Sequence, residues 1–172
     1  MAKLTAMKLL FVFSTFLFCL SASAQTTVAS NTAGRLEFVE LEYGIGQKVE
    51  GTIVQDKASP TGTRGWLEDY VITRQTDSVP MVRKANFGTV YMIRAKDTVD
   101  IDVQIEWIYP EKITNERGEK FKSIKYTTQR PTNIPSGSSY NLDEPYEMVK
   151  GRWILNLYVE NKKMYSRTFV LY

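Results

Sequence analysis

The sequence predicts an all-β fold, an antiparallel β-sandwich of immunoglobulin-like kind with about seven or eight strands. Three observations carry this. From Asp100 to Tyr109 the apolar residues Ile101, Val103, Ile105, Trp107 and Tyr109 alternate with Asp102, Gln104, Glu106 and Ile108, the period of a strand with one buried face. A second alternation, Trp153, Leu155, Leu157 and Val159, runs into Glu160-Asn161-Lys162-Lys163 and returns from Met164 to Leu171, which reads as a hairpin closing the stretch Gly151 to Tyr172. Between these runs Gly, Pro, Asn and Asp clusters interrupt the chain, and almost nothing repeats with a helical period.

In chain order, Met1 to Ala24 reads as a cleaved export signal. Lys3 and Lys8 precede the apolar run Leu9 to Leu20, and the small residues Ser21-Ala22-Ser23-Ala24 end it. The run is about a dozen residues, short of the ~20 that cross a bilayer, so no integral membrane segment is expected after cleavage. Phe18 stands before Cys19, where a lipoprotein signal carries a small residue, so lipidation is not expected. The mature protein is expected to be exported, periplasmic or secreted, and soluble. Gln25 to Gly34 is a small, polar stretch expected to be a flexible leader, and residues 35 to 172 are expected to form a single β-sandwich domain.

Further strands are predicted at Leu36 to Ile45, Gly65 to Gln75, Phe87 to Arg94 and Phe121 to Thr128, each rich in Tyr, Val, Ile, Thr or Phe. Gln55 to Arg64 and Arg130 to Ser139 contain Pro and Gly and read as exposed loops. Asn115-Glu116-Arg117-Gly118 reads as a turn between a strand ending at Pro110 and one beginning near Lys120.

Composition closes several chemistries. The only cysteine, Cys19, lies in the signal, so the exported part is expected to hold no disulfide or thiolate ligand. There is no His, the residue most used for acid-base work near neutral pH. Of the 22 Lys and Arg, two lie in the signal, leaving 20 against 19 Asp and Glu, a net charge of +1 that offers no footprint for nucleic acid.

The chemical candidates have structural readings beside them. Asp97, Asp100 and Asp102 lack the spacing, glycine and terminal Glu of a calcium loop and read as a solvated face. Asp143-Glu144 before Pro145, with Glu147 beyond, offers carboxylates for glycoside chemistry but reads as a corner. Ser136, Ser138 and Ser139 have no base to activate them. No catalytic, metal or cofactor-binding residue is assigned, and no cofactor is implied. The aromatics Trp66, Tyr70, Tyr140, Tyr146 and Tyr165 are the candidates for exposure, the first four as partner or ligand contacts, while Trp107 and Trp153 fall on core faces.

At Tyr140-Asn141-Leu142-Asp143-Glu144-Pro145-Tyr146-Glu147-Met148-Val149, followed by Gly151-Arg152-Trp153, the sequence resembles a bacterial family numbered 3859 among the domains of unknown function. Tyr43-Gly44-Ile45, Thr76-Asp77-Ser78-Val79-Pro80, Phe87-Gly88, and Trp107 with Pro110 add to the resemblance, which spans nearly all of the chain after the signal. The Ala85-Asn86 lead into Phe87 departs from the glycine-containing lead-in of that pattern. The resemblance implies an exported or envelope-associated β-rich domain and transfers no activity or catalytic residue. The reading that follows is a non-enzymatic exported module binding another envelope component, protein or glycan, through loops or a sheet edge. Its alternative is a carbohydrate-binding or carbohydrate-active module using Trp66 and Tyr140, or Asp143 and Glu144. A third reading, a small-ligand carrier, needs a cavity of roughly 300 Å³ between the sheets.

Overall fold

Alternating side chains give each strand one face that water rejects, and two such faces close on each other here. The computed structural model describes residues 36–48, 53–65 and 70–172, all within the compact unit Ala33–Tyr172. The expected signal and leader lie outside the described residues. The strands are β1 (Glu37–Lys48), β2 (Ile53–Gln55), β3 (Thr63–Gly65), β4 (Tyr70–Arg74), β5 (Ser78–Val79), β6 (Asn86–Arg94), β7 (Asp100–Thr114), β8 (Lys120–Pro131), β9 (Ser136–Asn141), β10 (Gly151–Val159) and β11 (Lys162–Leu171), with a 3₁₀ turn at Pro145–Glu147.

One sheet runs β4-β1-β6-β9 and the other β5-β11-β10-β7-β8, while β2 and β3 form a separate hairpin. Neighbours are antiparallel except the two-residue β5, which lies parallel to the end of β11. Val103, Ile105, Trp107 and Tyr109 of β7 and Trp153, Leu155, Leu157 and Val159 of β10 are buried on the inner face of the five-stranded sheet. Phe87, Thr89, Tyr91 and Ile93 of β6 face them from the other sheet.

The centre is aromatic. Phe87 meets Trp107 and Trp153 edge-on, at centroid distances of 5.5 and 5.9 Å and interplanar angles of 89° and 88°, and lies 5.2 Å from Phe169. Such edge contacts set the positive rim of one ring against the negative face of another and add to the area buried. Toward one open side an ion pair also joins the sheets. Arg167 of β11 makes a forked contact with Glu40 of β1, with Nε to Oε2 at 3.0 Å and one terminal nitrogen to Oε2 at 2.6 Å, and its guanidinium stacks 3.6 Å above the Tyr43 ring. Tyr165 donates its hydroxyl to the same carboxylate.

Several sequence expectations need correction. The strand predicted to end at Pro110 continues to Thr114. Pro110 has no N–H to give, the ladder with β8 loses register between Ile108 and Ile113, and Lys122 Nζ donates to the carbonyls of Tyr109 and Pro110 at 2.9 and 3.0 Å. The run Gly65 to Gln75 is no single strand: β3 ends at Gly65 and β4 begins at Tyr70 in another sheet, and residues 66–69 lie outside the described residues. Arg130 to Ser139 is no exposed loop, since Thr132 and Ser138 are buried and β9 begins at Ser136. Gln55 to Arg64 is a hairpin whose tip buries Ser59 and Pro60. The strands number eleven among the described residues, because two- and three-residue pairings leave no period to read.

The hairpin between β10 and β11 turns at Glu160 and Asn161, both at positive φ (50° and 62°), the twist that joins antiparallel strands with two residues. Two glycines have another role. Tyr70 lies across the four-stranded sheet, donating its hydroxyl to the Gly44 carbonyl at 3.0 Å. A Cβ at Gly46 would stand 2.6 Å from its Cζ, and one at Gly137 would stand 2.8 Å from its Cβ.

Two stability predictions follow from this packing. Phe87→Ala empties the centre of the core and is expected to cost about 3–5 kcal/mol in urea unfolding, with Phe87→Leu losing less than half of that. Gly137→Ala is expected to cost about 1–3 kcal/mol through overpacking against Tyr70, and the loss should shrink when it is combined with Tyr70→Ala.

Candidate functional site

The run from Tyr140 to Val149 leaves β9 and crosses one end of the sandwich before β10. Leu142 anchors it in the core and exchanges backbone hydrogen bonds with the start of β6, Leu142 N to the Ala85 carbonyl at 3.0 Å and Lys84 N to the Leu142 carbonyl at 2.7 Å. Pro145 then starts a 3₁₀ turn, where its missing N–H costs nothing. Trp153 Nε1 donates to the Val149 carbonyl at 2.9 Å and fastens the exit.

Glu147 is the one buried carboxylate among the described residues, 2% exposed. Its Oε2 accepts the backbone N–H groups of Asp143 (3.0 Å) and Glu144 (2.9 Å), and its Oε1 accepts the Tyr140 hydroxyl at 2.7 Å. Tyr140 in turn lies 3.3 Å, oxygen to oxygen, from the Tyr109 hydroxyl. Burial raises the Glu147 carboxyl above its ordinary range, and the three hydrogen bonds, which favour the charged form, do not offset that. Tyr140 is raised well above the ordinary phenol value, first by burial and then by Tyr109 and Glu147.

Three loops meet at this end. The Pro60 carbonyl, at the tip of the β2–β3 hairpin, accepts Asn115 Nδ2 at 3.1 Å from the β7–β8 turn and the Tyr146 hydroxyl at 3.3 Å. Asn115 Oδ1 caps its own turn through the N–H groups of Arg117 and Glu119. Arg64 leaves the hairpin, stacks 4.2 Å above the Tyr126 ring of β8 and pairs with Asp56 at 3.2 Å.

A half-open cleft of about 110 Å³ remains between the edges β8 and β9, beneath the hairpin. Arg64, Asn86, Trp107, Tyr126, Ser139 and Tyr140 are among the residues that line it. Its charged groups are engaged: Arg64 by Asp56, Asp143 by Asn141 Nδ2, and Glu147 as above. Asn86 Oδ1 and Trp107 Nε1, by contrast, are buried and have no hydrogen-bond partner among the described residues. Such a group forfeits about 1–3 kcal/mol unless something enters to pair with it. The cleft is smaller than the roughly 300 Å³ that a small-molecule carrier site needs. A second, open groove along Leu36, Phe38 and Lys162 to Met164 is a surface furrow.

The four aromatics expected at a contact surface are placed differently from one another. Trp66 lies outside the described residues. Tyr70 is 6% exposed and turned onto its own sheet, so it offers no surface. Tyr140 is only partly exposed and packs against Trp107 and Trp153, at 5.6 and 4.9 Å. Tyr146 is partly exposed, with its hydroxyl on Pro60 and its pKa pushed up to about 12, first by burial. Tyr165 is likewise half-buried, against Glu40. Tyr140 and Tyr146 thus share one end of the sandwich; Tyr70 does not join them. Sequence reasoning missed Asn86 and Arg64. Asn86 carried one signal, as the departure from the family's lead-in before Phe87. Among the described residues no group of three or more Asp, Glu, His or Cys side chains is placed to hold a metal ion, and no helix is long and apolar enough to cross a membrane.

The family model described as Domain of unknown function (DUF3859) matches residues 35–171. The chain belongs to the DUF3859 family. Among curated proteins none matches this sequence. Among solved structures the DUF3859 chain is similar to an immunoglobulin-like protein from Pseudomonas aeruginosa, at 19% identity and a TM-score of 0.56, over 79% of this chain and 97% of that one. That similarity shows the fold, an immunoglobulin-like β-sandwich. The Pseudomonas fluorescens alkylpurine DNA glycosylase AlkC, bound to DNA containing an abasic-site analogue, is similar over 55% of this chain and 27% of that one, at 11% identity and a TM-score of 0.36, too low to carry an argument.

Raised by burial, Glu147 binds its proton more tightly in the fold than in the unfolded chain, where a Glu titrates near about 4.3. Its contribution is therefore fully present below that value and is lost as pH rises through the folded one. Glu147→Gln removes the titration and keeps an acceptor for the turn. Measured by urea midpoints from about pH 4 to 7, the native protein should lose stability relative to Glu147→Gln as pH rises; parallel curves would contradict the assignment.

Proposed function

We propose that this DUF3859 chain is an exported, non-enzymatic β-sandwich that binds another protein of the cell envelope through the loop end formed by the β2–β3 hairpin, the β7–β8 turn and residues 142–149. The single observation that carries the reading is the commitment of Glu147. The one buried carboxylate of the described residues accepts three hydrogen bonds, two from its own turn and one from Tyr140, which is the arrangement of a group that holds a loop in place. The export signal read at Met1 to Ala24 supports the compartment. Knitted loops at one end of a rigid sandwich support recognition, since binding residues concentrate on loops held by a scaffold.

The glycan reading has less behind it, because the Tyr140 ring is half-buried against Trp107 and Trp153. The test is affinity recovery of the tagged, full-length protein from its own envelope after crosslinking, with partners identified by mass. One specific protein should be enriched, and Tyr146→Ala together with Glu144→Ala should reduce its recovery at least severalfold. A protein that stays in the cytoplasmic fraction, or is exported and recovers nothing above control, would overturn the proposal.

A further inference from the structure

We propose that the free edge of β11 accepts an extended, acid-flanked strand of a partner protein, joined to the five-stranded sheet by backbone hydrogen bonds. This is a second surface, separate from the loop end, and it stands or falls independently of the reading above.

The lane beside β11 is filled over only part of its length. Crossing from β4 in the other sheet, the chain enters this lane at β5, where Val170 N donates to the Asp77 carbonyl at 2.7 Å and Tyr172 N to the Val79 carbonyl at 3.2 Å. Tyr165 to Leu171 keeps one unbroken register with β10, so the backbone groups of every second residue point the same way. Ser166 and Thr168 therefore turn their N–H and C=O groups to the same side as Val170, and there no strand pairs with them among the described residues. The opposite open side differs, because the β2–β3 hairpin lies over it with Arg64 on the Tyr126 ring. β1, the neighbour of this lane in the other sheet, carries a bulge between Glu40 and Glu42 that breaks a regular ladder.

What surrounds the lane selects its occupant. An added strand turns alternate side chains toward the furrow lined by Leu36, Phe38 and Met164. These three pack partly buried against the core, so the incoming strand needs apolar residues at those positions. Lys162 and Lys163 are exposed at the foot of β11, the second with its ammonium 5.6 Å from the centre of the Tyr158 ring, and neither has an ion pair among the described residues, whereas Glu37 and Glu40 of β1 are paired with Arg94 and Arg167. The lane is thus locally positive. Edge lysines turn away a basic strand, and a second copy would bring its own Lys162 and Lys163 beside these. Acidic residues flanking the incoming segment complement the same charge.

The probe is the acetylated, amidated heptapeptide Glu-Thr-Val-Thr-Val-Thr-Glu, added to the isotope-labelled protein in the form its own cell produces. The amide signals of Ser166 and Thr168 should shift saturably, with half-saturation in about the millimolar range, and their hydrogen exchange should slow severalfold at saturation. The lysine-flanked peptide Lys-Thr-Val-Thr-Val-Thr-Lys should bind at least tenfold more weakly. Thr168→Pro removes an outward N–H that the ladder with β10 does not use, so it should fold and lose the response. If it does not fold, the exposed pair Lys162→Glu and Lys163→Glu should invert the preference between the two peptides. No saturable shift, equal binding of both peptides, protection at another strand edge instead, a response kept by folded Thr168→Pro, or a preference unchanged by the charge reversal overturns the proposal. So does dimerisation of the protein through Ser166 and Thr168 without peptide, which would make a second copy the occupant.

Discussion

Phe87 reaches from the four-stranded sheet into the space between Trp107 and Trp153, and that edge-on contact sets how the two sheets face each other. Sandwich cores are about 10 Å thick, and few side chains other than aromatics span that distance from one side. Tyr140, Tyr109 and Phe169 fill the space around the same contact. Because β6, β7, β9, β10 and β11 all contribute a ring, the cluster ties the two sheets together. With no Cys in residues 25–172 to form a disulfide, packed aromatic area holds the sheets together at their centre.

The polar end follows from that core. Tyr140 belongs to both, with its ring against Trp153 and its hydroxyl on Glu147. Glu147 then holds the turn that leads into β10, and Tyr146 and Asn115 converge on Pro60. A carboxylate taken out of water without a cation beside it is costly unless several donors surround it. Here three do. Its raised pKa is the remainder of that cost, so a perturbed carboxylate that resembles a catalytic acid is explained by its structural work.

Some of this was legible in the chain. The alternation around Trp107 and Trp153 placed both on core faces, since period two admits only that arrangement when every second residue is large and apolar. The Tyr140 to Val149 motif identified the family and marked a corner at Pro145. Other parts were not legible. Ser136–Asn141 has weak strand preference and becomes β9 because β6 offers it a partner edge. Tyr70 reads as an exposed aromatic, yet glycines distant in sequence, Gly46 and Gly137, leave room for it to lie down. The cleft could not be read at all, because Arg64, Asn86, Trp107 and Tyr126 come from four separate segments.

The sequence by itself determined the fold class, the family, the two main core strands and the lack of His and, after Cys19, of thiols, all of which depend on local period or on counting. Only the tertiary structure decided which polar groups are satisfied: Glu147 and Arg64 are, and Asn86 Oδ1 and Trp107 Nε1 have no partner among the described residues. The physical reason is that hydrogen-bond satisfaction depends on neighbours brought together by sheet packing, and strand periodicity states which way a side chain faces without stating what it meets there.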